Sequence, residues 1–269
     1  MGRKLVRAAA AIALAVAFGQ ANAIPAIWEP SFGSTVLTGD DATTSTSWGF
    51  VFPFLGSSYT GGEISTNGFM SLGGSNSNGC CDASTSSLLS GADRIAVAWY
   101  DLNTAGVGSI RQNTFADHVV ITWDNVPEFS NSLGNTFQMQ LFNTGRIIFG
   151  YDVLHPNADS GHRHHGLTGI SGGGGVADPG EIDYTTALPF NSSSDTVYEF
   201  FARGPNGSTA VGGDTWDLAG TNICYDPRAG NTWHVTTSCS APVPEPSVLA
   251  LVGIALVGFG ATRRRRAVR

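Results

Sequence analysis

Thr136-Phe137-Gln138-Met139-Gln140-Leu141-Phe142-Asn143-Thr144-Gly145-Arg146-Ile147-Ile148-Phe149-Gly150-Tyr151 is the stretch on which the fold class turns. Two runs rich in β-branched and aromatic residues, Thr136 to Phe142 and Arg146 to Tyr151, flank an Asn-Thr-Gly turn. This is the strongest hairpin signal in the chain. The same grammar recurs on both sides of it. Upstream lie Trp48 to Phe54 with a turn at Leu55 to Ser58, Glu63 to Leu72 interrupted at Asn67-Gly68, Arg94 to Leu102, Gly108 to Gln112 and His118 to Trp123. Downstream lie Gly166 to Ile170, Thr196 to Ala202, and a last pair, Asn222 to Tyr225 and Thr232 to Thr236, around Asp226-Pro227-Arg228-Ala229-Gly230. No stretch between Ile24 and Val243 carries a helical apolar period over several turns. The expectation is an all-β, antiparallel β-sandwich with a small C-terminal β-hairpin extension.

The two ends read differently. Arg3, Lys4 and Arg7 precede an apolar run from Ala8 to Phe18, and Ala21-Asn22-Ala23 is a small-x-small cleavage site. This is the layout of a Sec-type signal peptide cut by signal peptidase after Ala23. At the other end stand Pro244-Glu245-Pro246, an uncharged apolar run, and Arg263-Arg264-Arg265-Arg266. The prolines fix their own φ and push the preceding residues toward extended geometry. As a helix, the run from Ser247 to Thr262 is roughly 24 Å long at ~1.5 Å per residue, a short transmembrane helix. The arginines beyond it hold that end in the cytoplasm. The segments are therefore 1–23 signal peptide, 24–203 sandwich, 204–242 hairpin extension and linker, and 243–269 sorting segment.

Charge narrows the function classes. Between Ile24 and Val243 lie six arginines and 20 acidic residues, a formal charge of −14, and the one lysine of the chain is Lys4. Such a body repels nucleic acid. Without lysine it has no Walker A loop and no Schiff-base residue. No cofactor is expected; Ca2+ at surface carboxylates is compatible with the charge, but Asp40-Asp41 and Asp214 with Asp217 are too sparse for an EF-hand and read as turn residues.

Three motifs carry a hint of chemistry. The first is His162, His164 and His165, with His155 and Asp159 nearby, which could ligate a transition metal through neutral imidazoles. Set against that, the segment reads as a loop, and neighbours in extended chain point to opposite sides. Gly169-Ile170-Ser171-Gly172-Gly173 matches the letters of a nucleophile elbow, but the glycines and Pro179 that follow start no helix. Cys80, Cys81, Cys224 and Cys239 suit disulfides in an exported chain. Adjacent Cys80 and Cys81 have Cα atoms too close for an unstrained bond to each other. Either Cys224 pairs with Cys239 across the last hairpin or the two pairs cross-link, and spacing does not choose.

Two resemblances follow from residues already quoted. Pro244-Glu245-Pro246, the apolar run and the arginine block, in that order, resemble the PEP-CTERM sorting signal of Gram-negative, exopolysaccharide-producing bacteria. That resemblance implies an exosortase partner, an inner-membrane intermediate held through residues 247–262, and delivery to the cell surface or extracellular matrix. Phe52-Pro53-Phe54, Ser65-Thr66-Asn67-Gly68-Phe69, Ile95 to Leu102, Val120 to Val126 and Phe137 to Tyr151 together resemble a nidogen-like extracellular domain. It implies a β-rich adhesion or matrix module with no catalytic motif to transfer, and extracellular polysaccharide or other matrix proteins as partners. The expected function is therefore a non-enzymatic structural or adhesive matrix protein. The alternatives are a carbohydrate-binding module, marked by an exposed aromatic row, and a metal-dependent or serine hydrolase.

Overall fold

The computed structural model describes residues 28–74, 83–155, 165–201 and 216–239. Residues Ala21, Ala23, Cys80, Cys81, His162 and His164, and all of the sorting segment with Pro244, Glu245, Pro246 and Arg263 to Arg266, lie outside the described residues. In chain order the elements are β1 (Ser34–Leu37), β2 (Thr43–Phe54), β3 (Ser57–Ser65), β4 (Phe69–Leu72), α1 (Thr85–Ser90), β5 (Asp93–Trp99), β6 (Ser109–Thr114) and β7 (His118–Pro127). Then come β8 (Gly134–Phe142), β9 (Ile147–Val153), β10 (Gly166–Ser171), β11 (Phe190–Asn191), β12 (Val197–Phe201), β13 (Asn222–Arg228) and β14 (Thr232–Thr236).

They form two antiparallel sheets. The larger runs β1-β6-β7-β8-β9-β13-β14-β11 and the smaller β12-β10-β5-β4-β3-β2. The all-β sandwich expected from the sequence is the fold. The hairpin of Phe137 and Tyr151 sits at its centre, with Phe137 opposite Tyr151, Met139 opposite Phe149 and Leu141 opposite Ile147. Side chains alternate along a strand, so these six point to one face together. That face meets Val119, Ile121 and Trp123 of β7, and Ile64, Met70, Ile95 and Val97 of the smaller sheet, in one core. Trp123 has no exposed surface, and its indole N–H donates across the core to the carbonyls of Ser65 and Thr66, both at 3.1 Å. A bulky side chain thus fills the space between sheets, and its polar atom fixes their relative position.

The C-terminal hairpin β13–β14 pairs through β13 with β9, Ile223 opposite Phe149 and Tyr225 opposite Ile147, and so extends the larger sheet. One detail differs from the sequence reading: Asp226, Pro227 and Arg228 belong to β13 rather than to the turn. Pro227 is tolerated there because β9 pairs with β13 only from Asn222 to Tyr225, so no partner awaits the missing N–H.

Several elements escape the sequence reading: β1, α1 and the two-residue β11 altogether, and the first parts of β2 and β3. β1 is four residues long, and the first half of β2 is the polar run Thr43-Thr44-Ser45-Thr46-Ser47 on an edge strand, where one face needs no apolar side chains. Helix α1 is six residues, too short to show a period. Its N-cap is Ser84, whose side chain accepts the Ser87 N–H at 3.3 Å. Among the described residues no helix is long and apolar enough to cross a membrane.

The outward face of the larger sheet is covered by the segment that enters it. Trp28 lies against Gly150, the Glu29 N–H donates to Gln138 Oε1 at 3.1 Å, and Gln138 Nε2 returns a bond to the Glu29 carbonyl at 2.7 Å. Asn113 holds the Ser31 carbonyl at 2.9 Å. Gln138 is consequently buried, although its position in the strand faces away from the core.

Candidate functional site

One rim of the sandwich is built on Asn67-Gly68, the turn between β3 and β4. Asn67 is buried, donating from Nδ2 to Asp41 Oδ1 at 2.8 Å and accepting at Oδ1 the Leu102 N–H at 2.9 Å. The Asn67 carbonyl takes the Tyr100 N–H, and the Gly68 carbonyl takes those of Val97 and Ala98. One turn thereby ties the segment before β2 to the segment after β5.

That tie brings three carboxylates together. Asp40, Asp41 and Asp101 each place an oxygen within 4.8 Å of the others, Asp101 buried and the other two exposed. Asp41 holds φ at 47°, a turn conformation that Asp adopts with little penalty, and Asp40 bridges to Asn103. The Asp40 carboxyl is held above the usual range, first by burial and then by repulsion from Asp41. Among the described residues this is the group whose oxygens could hold a divalent cation, although Ca2+ asks for six to eight oxygens and three carboxylates supply only part of such a shell.

The raised pKa has a definite sign. A carboxyl whose folded pKa lies above its unfolded value costs stability while ionised, and the cost is relieved as pH falls through the folded pKa. Asp40→Asn is therefore expected to raise the melting temperature slightly at pH 7 in the presence of EDTA, with the gain vanishing near pH 3. A melting temperature that falls on this substitution would mean the carboxylate has a stabilising partner that repulsion does not outweigh.

The other sequence-predicted residues have separate places. His165 immediately precedes β10, half-buried, with its ring 5.6 Å from Phe200 and its carbonyl accepting the Ala83 N–H. Ser171 ends β10 with no exposed surface; its Oγ lies 2.9 Å from Thr196 Oγ1 and accepts the Gly173 N–H at 3.0 Å. Gly173, Gly174 and Gly175 follow with φ of 57°, 66° and 86°, so the chain turns left-handed where an elbow would start a helix. Cys224 and Cys239 are bonded to each other, Cα to Cα 5.6 Å, and pack with Phe142 and Ile148 on the outward face of the larger sheet.

Sequence reasoning did not find the polar groups sealed inside the sandwich. The Tyr225 hydroxyl donates to that of Tyr184 at 2.8 Å, and the Tyr184 N–H donates to buried Glu199 at 3.1 Å. Tyr151 donates to the Val97 carbonyl at 2.7 Å. Burial drives all three phenols well above their ordinary range, so they stay protonated; Tyr225 and Tyr151 serve as structural donors, and Tyr184 accepts the Tyr225 hydroxyl. Of the aromatic side chains among the described residues, Phe129 is the exposed one, at 37%, and Trp48, Trp99, Trp123, Trp216 and Trp233 are buried. No exposed aromatic row forms among the described residues.

A family model described as NIDO related matches residues 20–210, more than half of the chain. A second, described as the PEP-CTERM protein-sorting motif, matches residues 242–266. No curated protein and no solved structure matched.

Proposed function

We propose, since the chain belongs to the NIDO-related family, that it is a non-enzymatic structural or adhesive component of the extracellular matrix. The coarser part is carried by the sorting motif at residues 242–266, which marks an exported bacterial protein sorted to the cell surface by an exosortase. The matrix role is the finer reading. It is supported by what lies ahead of that motif: a sandwich with one large core between its sheets, in which the buried hydroxyls of Ser171, Tyr184 and Tyr225 are spent on internal hydrogen bonds. A rigid body presented at the surface works through its exterior, and its signal peptide and sorting segment serve delivery rather than binding.

Fractionation of the native host tests this. The wild-type protein is expected in the extracellular matrix fraction. The variant with Pro244, Glu245 and Pro246 all changed to Ala is expected to stay with the inner membrane. Equal distribution of both proteins between fractions would refute sorting through that motif. Wild-type protein that washes freely into the medium would refute the matrix role while leaving export intact.

A further inference from the structure

Three turns meet at the end of the sandwich opposite Asp40, Asp41 and Asp101, since β2 starts beside the acidic rim at Thr43 and ends here at Phe54. The turns are Leu55-Gly56 between β2 and β3, Thr144-Gly145 between β8 and β9, and the Ala229 to Asn231 connection between β13 and β14. Between them lies a shallow, open cleft of about 130 Å3. Phe54 and Trp233, ring centroids 5.8 Å apart and almost fully buried, back it from the core side. Pro53 and Pro227 give it apolar walls, and Thr144, Arg228, Asn231 and Thr232 give it polar ones.

The shape is set by backbone. Leu55, Gly56, Gly145, Gly230 and Asn231 hold φ of 48°, 81°, 84°, 77° and 57°. A leucine in the left-handed region is strained, and Leu55 keeps that conformation while its side chain packs on the core. The charge is local. Among the described arginines Arg94 is buried, Arg111 lies 3.7 Å from Asp124, and Arg146 pairs with Asp226 at 2.5 Å. Arg228 is exposed, with no carboxylate partner among the described residues, and the nearby Asp226 is already neutralised by Arg146. At physiological salt the Debye length is about 8 Å, so a ligand in the cleft feels Arg228 more than the acidic body as a whole.

We propose that this cleft binds a carboxylate-bearing saccharide, a deepening that rests on the matrix reading above. Arg228 takes the carboxylate in a charge-assisted, two-pronged contact. Thr144, Asn231 and Thr232 take ring hydroxyls, and the proline walls take the apolar face of a sugar ring. An extended peptide fits less well, because the cleft is lined by closed turns and offers no free strand edge for backbone pairing.

Calorimetric titration of the full-length protein with trigalacturonate, with the neutral sugar maltotriose and with a triglutamate peptide tests the assignment. Trigalacturonate is expected to bind at least tenfold more tightly than either of the others. Arg228→Gln is expected to remove at least tenfold of that affinity without moving the melting temperature, and Arg228→Lys is expected to restore part of it. Unchanged affinity in the Arg228→Gln variant, no binding of trigalacturonate, or triglutamate binding as tightly would each overturn it. Protein found in the matrix that fails these titrations refutes the cleft alone; protein absent from the matrix refutes the wider reading whatever the titrations give.

Discussion

Gly68→Ala is expected to abolish the folded domain, a loss of more than about 4 kcal/mol, in the range that marks a disrupted structural keystone. Gly68 holds φ at 77°, where an L side chain alone costs roughly 1–2 kcal/mol. Steric overlap costs more than that. A Cβ there would overlap the Ala98 carbonyl oxygen and stand 3.3 Å from the Trp99 nitrogen. These are backbone atoms of a buried strand, and no side-chain rotamer can make room. Moving them would break the bonds from the Val97 and Ala98 N–H groups to the Gly68 carbonyl, and with them the Asn67 links to Asp41 and Leu102. Urea unfolding followed by tryptophan fluorescence checks this: the variant is expected to show no cooperative transition, and a wild-type midpoint would contradict the role given to the turn.

Removing the Cys224–Cys239 bond is the next largest effect. The bond closes a loop of 15 residues, for which the chain-entropy model gives about 3 kcal/mol at 25 °C. It joins β13, an interior strand, to the chain just beyond β14, the point from which the sorting segment departs. Loss of the bond leaves β14 held by β13 and the two-residue β11. The Cys224→Ser/Cys239→Ser variant is therefore expected to unfold at a lower urea concentration, with a slope no smaller than that of the wild type. Reductant should bring the wild-type protein to the same midpoint and leave the variant where it is. Coincident midpoints for the oxidised wild type and the variant would show that the bond adds no stability.

What is legible in the sequence follows from range. The hairpin from Thr136 to Tyr151 declares itself because its strands, turn and register are local. The strand pairs of the C-terminal hairpin are local as well, and only the reach of β13 to Arg228 is hidden, behind residues with the composition of a turn. The first half of β2 is concealed because an edge strand built from Thr and Ser has the composition of a loop. The covering of Gln138 by Glu29 joins residues 109 apart, and nothing in either neighbourhood announces it. The acidic rim shows the same limit: Asp40 and Asp41 read correctly as turn residues, while Asp101 reaches them only through the Asn67 tie. The Ser171 motif shows the converse, since matching letters are placed in a buried position where the hydroxyl serves Thr196 and Gly173. The turn-end cleft is beyond sequence reasoning because its walls come from three turns spread between Pro53 and Trp233.

The intact mass of the protein collected outside its native host decides whether this is an exported sandwich delivered by its C-terminal sorting motif. The expected mass lacks residues 1–23 and the segment beyond the Pro244-Glu245-Pro246 motif. A mass that retains Arg263 to Arg266 would contradict processing at that motif, and would make the C-terminal segment a permanent anchor instead of a processed address.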